Sequence, residues 1–257
     1  MKHPLRTLLL AVCCGLAAAC TQRQERLKLM SYNIRNGIGI DNIQDIGRIA
    51  RVILREAPDL VALQELDSAT LRVDGRYIPG ELGRMTGMHA TFGRAIGFAG
   101  GSYGIGLLSR TEPLAVRSIP LPGREEARVL LMAEFPDYTV CITHLSLTPE
   151  DRLASLPIIR EATDTCRKPV LLAGDFNTGN AAAVLAGLGG GFRILSDTTP
   201  MTFPSDNPAV RIDYILGRGL PTSATVAESA VDHTATASDH CPLWVTLVWK
   251  RGKQPGK

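Results

Sequence analysis

The chain has 257 residues, of which 45% are hydrophobic and 21% are charged, and its formal net charge is +3 at neutral pH. This is the composition of a globular protein with enough apolar material for one sizeable core, which excludes an intrinsically disordered chain. The small charge surplus also excludes a strongly basic, polyanion-binding composition.

The first 20 residues differ from the rest of the chain. Lys2 and Arg6 precede a short apolar stretch, and small residues then lead directly into Cys20. This pattern is typical of a secretory signal and is too short for a comfortable membrane span. Residues 1–19 are therefore predicted to be a signal peptide. Its removal takes away two of the 28 basic residues. The remaining basic residues and the 25 acidic residues give a net charge of about +1.

The segment Leu-Ala-Ala-Ala-Cys at residues 16–20 resembles the lipobox of bacterial lipoproteins. The resemblance implies cleavage before Cys20 and attachment of lipid to its sulfur. It also implies a lipid-anchored location in the bacterial cell envelope, at the outer membrane or the periplasmic face, with residues 20–26 as a short tether. Cleavage by an ordinary signal peptidase is the alternative.

The fold is predicted to begin with a β-α-β unit. Residues 27–32 form a strand-like run, and residues 43–54 carry apolar side chains at helical spacing, with Asp41 or Asn42 as the cap. Residues 60–64 are a second buried strand reached by a short connection. A weaker helix is expected at 79–87, and further strands are expected at 89–92, 104–109, 114–119 and 129–135.

The second half is predicted to alternate hairpins and helices. A turn at Pro136-Asp137 should join 129–135 to 139–143 as an antiparallel hairpin. A helix should begin at Thr148, and Pro157 should bend or split it. The remaining expectations are a buried strand from Val170, a helix at 180–188, strands at 211–216, 222–227 and 243–249, and a polar tail at 250–257.

This pattern indicates one domain at residues 27–249, without repeats or an interior linker. Hairpins mixed with β-α-β units favour mixed sheets. The predicted fold class is therefore α/β, with two mixed β-sheets packed face to face and flanked by helices.

Polar residues follow several of the buried runs. The run from Val170 ends in Gly-Asp-Phe-Asn, and a carboxylate beside a core strand is costly unless it finds partners. Partners are available at the ends of other strand-like runs or in turns beside them. The complete candidate set is Asn33, Glu65, His144, Asp175, Asn177, Asp213, Asp239 and His240. Its oxygen ligands fit Mg²⁺ better than Zn²⁺, which would want more nitrogen or sulfur.

These residues occur in an ordered set of motifs that resembles the endonuclease/exonuclease/phosphatase superfamily over residues 27–249. The motifs are Ser-Tyr-Asn-Ile-Arg-Asn-Gly at 31–37, Gln-Glu at 64–65, Tyr-Gly at 103–104, Thr-His-Leu at 143–145, Gly-Asp-Phe-Asn at 174–177, Arg-Ile-Asp-Tyr-Ile at 211–215 and Ser-Asp-His-Cys-Pro at 238–242. The resemblance implies a four-layered α/β sandwich that cleaves phosphoester bonds with a divalent metal, Mg²⁺ or alternatively Mn²⁺.

The resemblance also implies a role for each candidate. Glu65 would be the principal metal ligand, with Asn33 on the metal or the phosphate and Asp239 as a second metal contact. Asp175 would orient or deprotonate the attacking water. The other implied roles are phosphate binding by Asn177 and by Arg128, catalysis by His240 oriented by Asp213, and phosphate binding or leaving-group assistance by His144. Without the resemblance, Asp213 would be interpreted as a salt-bridge partner of Arg211, and Arg128 as a solvated side chain.

The predicted function is that of a monomeric phosphodiesterase of the endonuclease type, with a nucleic acid or a phospholipid as substrate and no protein partner. A net charge near +1 gives no clear basic footprint for nucleic acid, although Arg72, Arg76, Arg84 and Arg94 could gather on one face. The alternatives are a sphingomyelinase-like phospholipid phosphodiesterase and a tethered binding protein that kept the fold but lost turnover.

Overall fold

A computed structural model describes residues 24–250. The predicted signal peptide, Cys20 and residues 251–257 of the predicted tail lie outside the described residues. The strands are β1 (Gln24–Asn33), β2 (Leu60–Ser68), β3 (His89–Phe98), β4 (Gly101–Ser109), β5 (Ala115–Leu121), β6 (Arg128–Glu134), β7 (Thr139–His144), β8 (Val170–Asp175), β9 (Arg193–Ile194), β10 (Asp213–Arg218), β11 (Thr225–Val231) and β12 (Leu243–Lys250). The α-helices are α1 (Ile46–Glu56), α2 (Ile78–Thr86), α3 (Pro149–Asp164) and α4 (Ala181–Leu188), and 3-10 turns lie at Arg35–Gly37 and Leu71–Val73.

The strands form two six-stranded sheets. The first has the order β11-β12-β1-β2-β4-β3 and the second β5-β6-β7-β8-β10-β9. Each sheet contains one parallel pair, β1 with β2 and β7 with β8, and its other pairs are antiparallel. Both sheets are therefore mixed, as the sequence predicts.

Three layers of apolar side chains lie between the four structural layers, which are two outer layers of helices and two inner sheets. Side chains alternate along each strand, so that in β1 Leu29 faces the second sheet and Met30 faces the helices. Helices α1 and α2 cover the first sheet through residues such as Ile49 and Leu82, and α3 and α4 cover the second through Ile159 and Val184. The predicted four-layered α/β sandwich is confirmed.

The local predictions give the correct types of secondary structure, but details such as the helix cap differ. The parallel β1-α1-β2 unit and the β6-β7 hairpin are both present. Helix α1 begins at Ile46 and is capped by Asp45, so the prediction of Asp41 or Asn42 as the cap is wrong. Asp41 instead accepts a hydrogen bond from the Ile43 amide and pairs with Arg48.

Helix α3 runs through Pro157 without being split, contrary to one of the two expectations for this residue. Pro157 lies on the exposed face of the helix, where the Leu153 carbonyl that loses its hydrogen bond can be hydrated. Between residues 24 and 250 we find no helix that is long and apolar enough to cross a membrane.

Candidate active site

The topology brings the candidate residues to one end of the space between the sheets. Asn33, His144 and Asp175 are the last residues of β1, β7 and β8, and Asp213 is the first residue of β10. In the register of the second sheet, Asp175 pairs with both His144 and Asp213. His240 comes from the loop that leads into β12. Strands from both sheets therefore deliver polar side chains to a single cluster, which we call the polar end.

Glu65 reaches the cluster because β2 is irregular at this position. The pairing of β2 with β4 shifts between Leu63 and Leu66, and Glu65 has a φ of 60°. A bulge with one residue in the left-handed region re-aims that side chain relative to the regular alternation of the strand. Glu65 is half-buried, and its Oε1 accepts a hydrogen bond of 3.0 Å from Asn33.

Asn33 is at the centre of the cluster. Its Oδ1 accepts from the Arg35 amide, so its Nδ2 faces Glu65 Oε1 at 3.0 Å, Asp175 Oδ2 at 3.1 Å and His240 Nε2 at 3.4 Å. An amide nitrogen carries two hydrogens, which suffice for the two carboxylates. The His240 nitrogen can then keep its own proton. Asn33 thus links the first sheet to the catalytic candidates of the second.

His240 is held as a charged imidazole. Burial lowers its pKa, but the charge of Asp213 and the 3.0 Å hydrogen bond between His240 Nδ1 and Asp213 Oδ2 raise it to about 10. The ring of Phe203 lies 4.8 Å from the imidazole ring. The alternative pairing of Asp213 with Arg211 is not the one seen, since Arg211 Nη1 donates to the Pro200 carbonyl. A carboxylate that holds one ring nitrogen fixes both the tautomer and the orientation of a histidine.

His144 has the opposite electrostatics. Burial lowers its pKa well below the ordinary value, and the charges of Arg128 and His240 lower it further. Its Nε2 lies 3.5 Å from Asp175 Oδ2, while His240 Nε2 lies 3.7 Å from the same oxygen. One neutral and one charged imidazole therefore flank a single carboxylate. Groups whose pKa values are driven apart are suited to different acid–base roles.

Asp175 is a fully buried carboxylate with a raised pKa. Burial and the nearby charge of Asp213 raise its pKa to about 7, against the charge of His240 and the hydrogen bonds from the Asn177 amide and from Asn33. A carboxyl group whose pKa lies near neutrality can gain and lose a proton at working pH, as a general base requires.

The other candidates lie around this centre. Asn177 donates through Nδ2 to the Leu145 carbonyl at 2.8 Å, which fixes its side chain beside β7. Asp239 forms an ion pair of 3.5 Å with Arg35 at the rim. Arg128 is 7% exposed, so it is not a solvated arginine. It forms ion pairs with both Glu125 and Glu126, and it borders a small cavity together with His144.

The donor set fits a divalent cation. Glu65, Asp175, Asp213 and Asp239 supply carboxylates, and the pKa of Asp175 is raised first by burial and then by the charge of Asp213, which a nearby cation would offset. Asp175, Asp213 and His240 offer ligand atoms within 4.8 Å of one another, but the hydrogen bond between Asp213 and His240 already uses one oxygen and the imidazole. We therefore expect the ion on the Glu65 side, where the Glu65 side chain is partly exposed to water.

Two residues of the site, Ser238 and Glu125, are assigned no role by the sequence analysis. Ser238 Oγ donates to the Asn33 carbonyl at 2.7 Å, and the His240 amide donates to the same hydroxyl at 3.3 Å, so this serine joins the last loop to β1. Glu125 accepts hydrogen bonds from the Leu147 amide and the Ser146 hydroxyl, just after His144. Ser238 belongs to a quoted motif, whereas Glu125 shows no periodicity or spacing that would have revealed it.

Comparisons with known proteins agree with the fold. The fold matches an endonuclease/exonuclease/phosphatase protein from Beutenbergia cavernae with a TM-score of 0.69 and 24% identity, covering 88% of this chain and 72% of the other. It also matches a mannosyl-6-phosphatase from Bacteroides thetaiotaomicron (TM-score 0.68, 19% identity, 86% and 99% covered) and a humanized TDP2 from D. rerio (TM-score 0.65, 20% identity, 86% and 98% covered).

The sequence comparison identifies the family directly. Residues 30–240, which run from β1 to His240 and include every candidate residue of the polar end, match the endonuclease/exonuclease/phosphatase family. Members of this family are phosphoester hydrolases. The chain belongs to the endonuclease/exonuclease/phosphatase family.

Proposed function

We propose that this protein is a Mg²⁺-dependent phosphodiesterase in which a water molecule attacks the phosphorus at the polar end. The observation that carries the proposal is the arrangement of Asp175 between a neutral His144 and a charged His240, with Asn33 bonded to the same carboxylate. Attack on a phosphodiester builds negative charge on the phosphoryl oxygens, and fixed donors stabilise this charge without reorganisation.

Each residue then has a part in the reaction. Asp175 accepts the proton of the attacking water. His240, held by Asp213 through Nδ1, presents its Nε2 proton to the developing charge, and it gives this proton to the leaving oxygen as the P–O bond to the leaving group breaks. His144 and Asn33 complete the group of polar side chains around the phosphate.

Glu65 would hold the ion, with Asp239 at the rim, and Asn33 would position Glu65 through its Nδ2; the ion would supply Lewis-acid stabilisation of the phosphoryl oxygens when bound. The chain itself keeps the ligands in place. Asn33 is hydrogen-bonded to Glu65 and Ser238 is hydrogen-bonded to the Asn33 carbonyl, so hydrogen bonds connect the metal side to the histidine side.

The nature of the leaving group is less constrained by the site. Two of the arginines that could form a basic face are already neutralised, Arg72 by Asp67 and Arg76 by Glu81. This weakens the case for a nucleic-acid groove and leaves phospholipids and small soluble diesters as substrates. The non-catalytic alternative is disfavoured, since a binding protein has no chemical need for two histidines with opposed pKa shifts.

The experiment is hydrolysis by the soluble form that starts after Cys20. Supercoiled DNA, sphingomyelin vesicles, phosphatidylinositol vesicles and the diester bis(4-nitrophenyl) phosphate are each incubated with Mg²⁺ and with EDTA. We expect turnover of at least one diester that EDTA abolishes and Mg²⁺ or Mn²⁺ restores. Absence of turnover on every diester, in the presence of a folded protein, would contradict the proposal and favour a phosphomonoesterase or a binding protein.

A further inference from the structure

The end of the sandwich opposite the polar end carries the start of the described chain. β1 begins there at Gln24 and ends at the site with Asn33, and the antiparallel β12 ends there at Lys250. With a rise of about 3.3 Å per residue, β1 separates the two ends by about 30 Å. We call this opposite end the terminal end.

At the terminal end, aromatic and aliphatic side chains close the inter-sheet core. Tyr138, Leu220 and Trp249 are each half-buried and pack against the core between the sheets. Together with Pro169 and Pro221 they border a shallow cavity of about 40 Å³. Tyrosine and tryptophan are enriched at membrane–water interfaces, where one side of the ring contacts apolar groups and the other side contacts water.

Basic residues are concentrated in the same part of the chain. Residues 250–257 contain four basic residues and no acidic one. Arg167, in the loop before β8, is exposed and has no hydrogen bond or ion pair within residues 24–250. Glu25 and Asp137 lie at this end too, so the described residues here carry charges of both signs. Each lysine or arginine near an anionic lipid surface contributes about 1 kcal/mol of attraction.

The predicted anchor is close to this end in the chain. Only four residue steps separate Cys20 from Gln24, and a fully extended chain spans at most about 3.6 Å per residue. A lipid on Cys20 would therefore hold the terminal end within about 14 Å of the membrane. The polar end lies a further sheet length away.

We propose that the surface formed by Tyr138, Leu220 and Trp249 rests on the lipid surface in which Cys20 is anchored, and that the polar end faces away from that surface. The second consequence rests on the proposed hydrolase function. The substrate is a soluble phosphoester that reaches the site from the surrounding compartment, and the phospholipids of the anchoring leaflet are out of reach.

Two tryptophans make the orientation measurable. The whole chain contains only Trp244 and Trp249. Trp249 is at the terminal end, whereas Trp244 is buried and lies five residues nearer the polar end on β12. The full-length chain is expressed with its signal, purified from membranes and reconstituted into phosphatidylethanolamine/phosphatidylglycerol vesicles with and without brominated acyl chains. Bromine quenches tryptophan emission at short range only.

We expect a bromine-dependent loss of emission in the Trp244→Phe variant, which keeps Trp249, and no loss in the Trp249→Phe variant, which keeps Trp244. The soluble form that starts after Cys20 sets the unquenched baseline for each variant. The proposal is overturned if the Trp244→Phe variant loses no emission, if both variants are quenched equally, or if mass spectrometry finds no lipid on Cys20.

A second readout separates this inference from the proposed function. The same vesicles should hydrolyse soluble bis(4-nitrophenyl) phosphate at the rate of the soluble form while their own phospholipids stay intact. Cleavage of vesicle phospholipid by the anchored chain would overturn the orientation. If the quenching pattern is found but no substrate is cleaved, the orientation holds and the hydrolase function fails.

Discussion

The two ends of the inter-sheet core are built from the same strands but show opposite physical chemistry. At the polar end the strands terminate in buried carboxylates, amides and imidazoles, whereas at the terminal end Tyr138, Leu220 and Trp249 close the core. Burial of apolar surface stabilises the fold, whereas burial of a carboxylate destabilises it unless partners compensate. The raised pKa of Asp175 indicates that its partners do not fully offset the effect of burial on the charged form.

The largest expected effect is that of Asp175→Asn. Loss of the general base should lower kcat by about 10²–10⁴-fold. The raised pKa of Asp175 means that the folded state favours the protonated form, so its contribution to stability falls as pH rises from about 3.8 to about 7. In EDTA at pH 8, Asn should therefore raise the free energy of unfolding by about 1 kcal/mol or more.

Kinetics and urea unfolding check both parts of this prediction. The matched control is Asp164→Asn at the terminal end, where the carboxylate is ion-paired with Arg218. This control should leave kcat unchanged. Equal losses of activity in the two variants would mean that the difference between the ends is not functional.

Asp213→Asn should have the next largest effect. The pKa of His240 is raised to about 10 mainly by Asp213, so the charged form is stabilised in the fold. This contribution is complete below the ordinary value of 6.5 and is lost as pH rises through about 10. Asn should move the alkaline limb of the pH–kcat profile to lower pH and reduce kcat about 10²-fold. An NMR titration of the His240 ring that shows an unaltered pKa would contradict this role of Asp213.

Glu125→Gln tests the hydrogen bonds that Glu125 accepts beside the polar end. Hydrogen bonds from Ser146, Leu147 and Arg128 overcome the effect of burial and lower the pKa of Glu125 to about 2. The resulting stability is present above about 4.5 and is lost as pH falls toward 2. Gln should cost about 1–3 kcal/mol at pH 7 and flatten the acid limb of the stability profile. Glu134→Gln, at the exposed pair with Lys168, is the control and should leave the acid limb unchanged.

The smallest effect is expected for Lys168→Ala near the terminal end. Its amine bonds to Glu134 and to the Phe135 carbonyl at a partly exposed position. Such pairs contribute about 1 kcal/mol or less. Thermal unfolding should shift only slightly and kcat should not change. A large loss of activity here would show that the two ends are coupled.

The comparison also explains what the sequence could predict. Strand ends that deliver one polar residue each, such as Asn33 at the end of β1 and Asp175 at the end of β8, are visible as apolar runs that stop abruptly, and the layers follow from periodicity. Contacts set by the tertiary fold are not visible in this way. The position of Arg128 beside His144 and the approach of Phe203 to His240 depend on distant segments meeting.

Local competition explains a smaller error. Asp41, Asn42 and Asp45 all suit a helix cap, but Asp41 is engaged by Ile43 and Arg48, which leaves Asp45 to cap α1. The bulge that turns Glu65 toward the site cannot be predicted from the sequence either, because the residues around it have the pattern of a regular strand.

The most direct measurement is the steady-state rate of His240→Ala on the diester that the wild-type protein hydrolyses with Mg²⁺, together with its thermal unfolding. Because His240 contacts Asp175, Asn33 and Asp213 within the polar end, we expect turnover to fall by about 10²–10⁴-fold while the protein stays folded. An unchanged rate in a folded variant would contradict the assignment of the polar end as the catalytic centre.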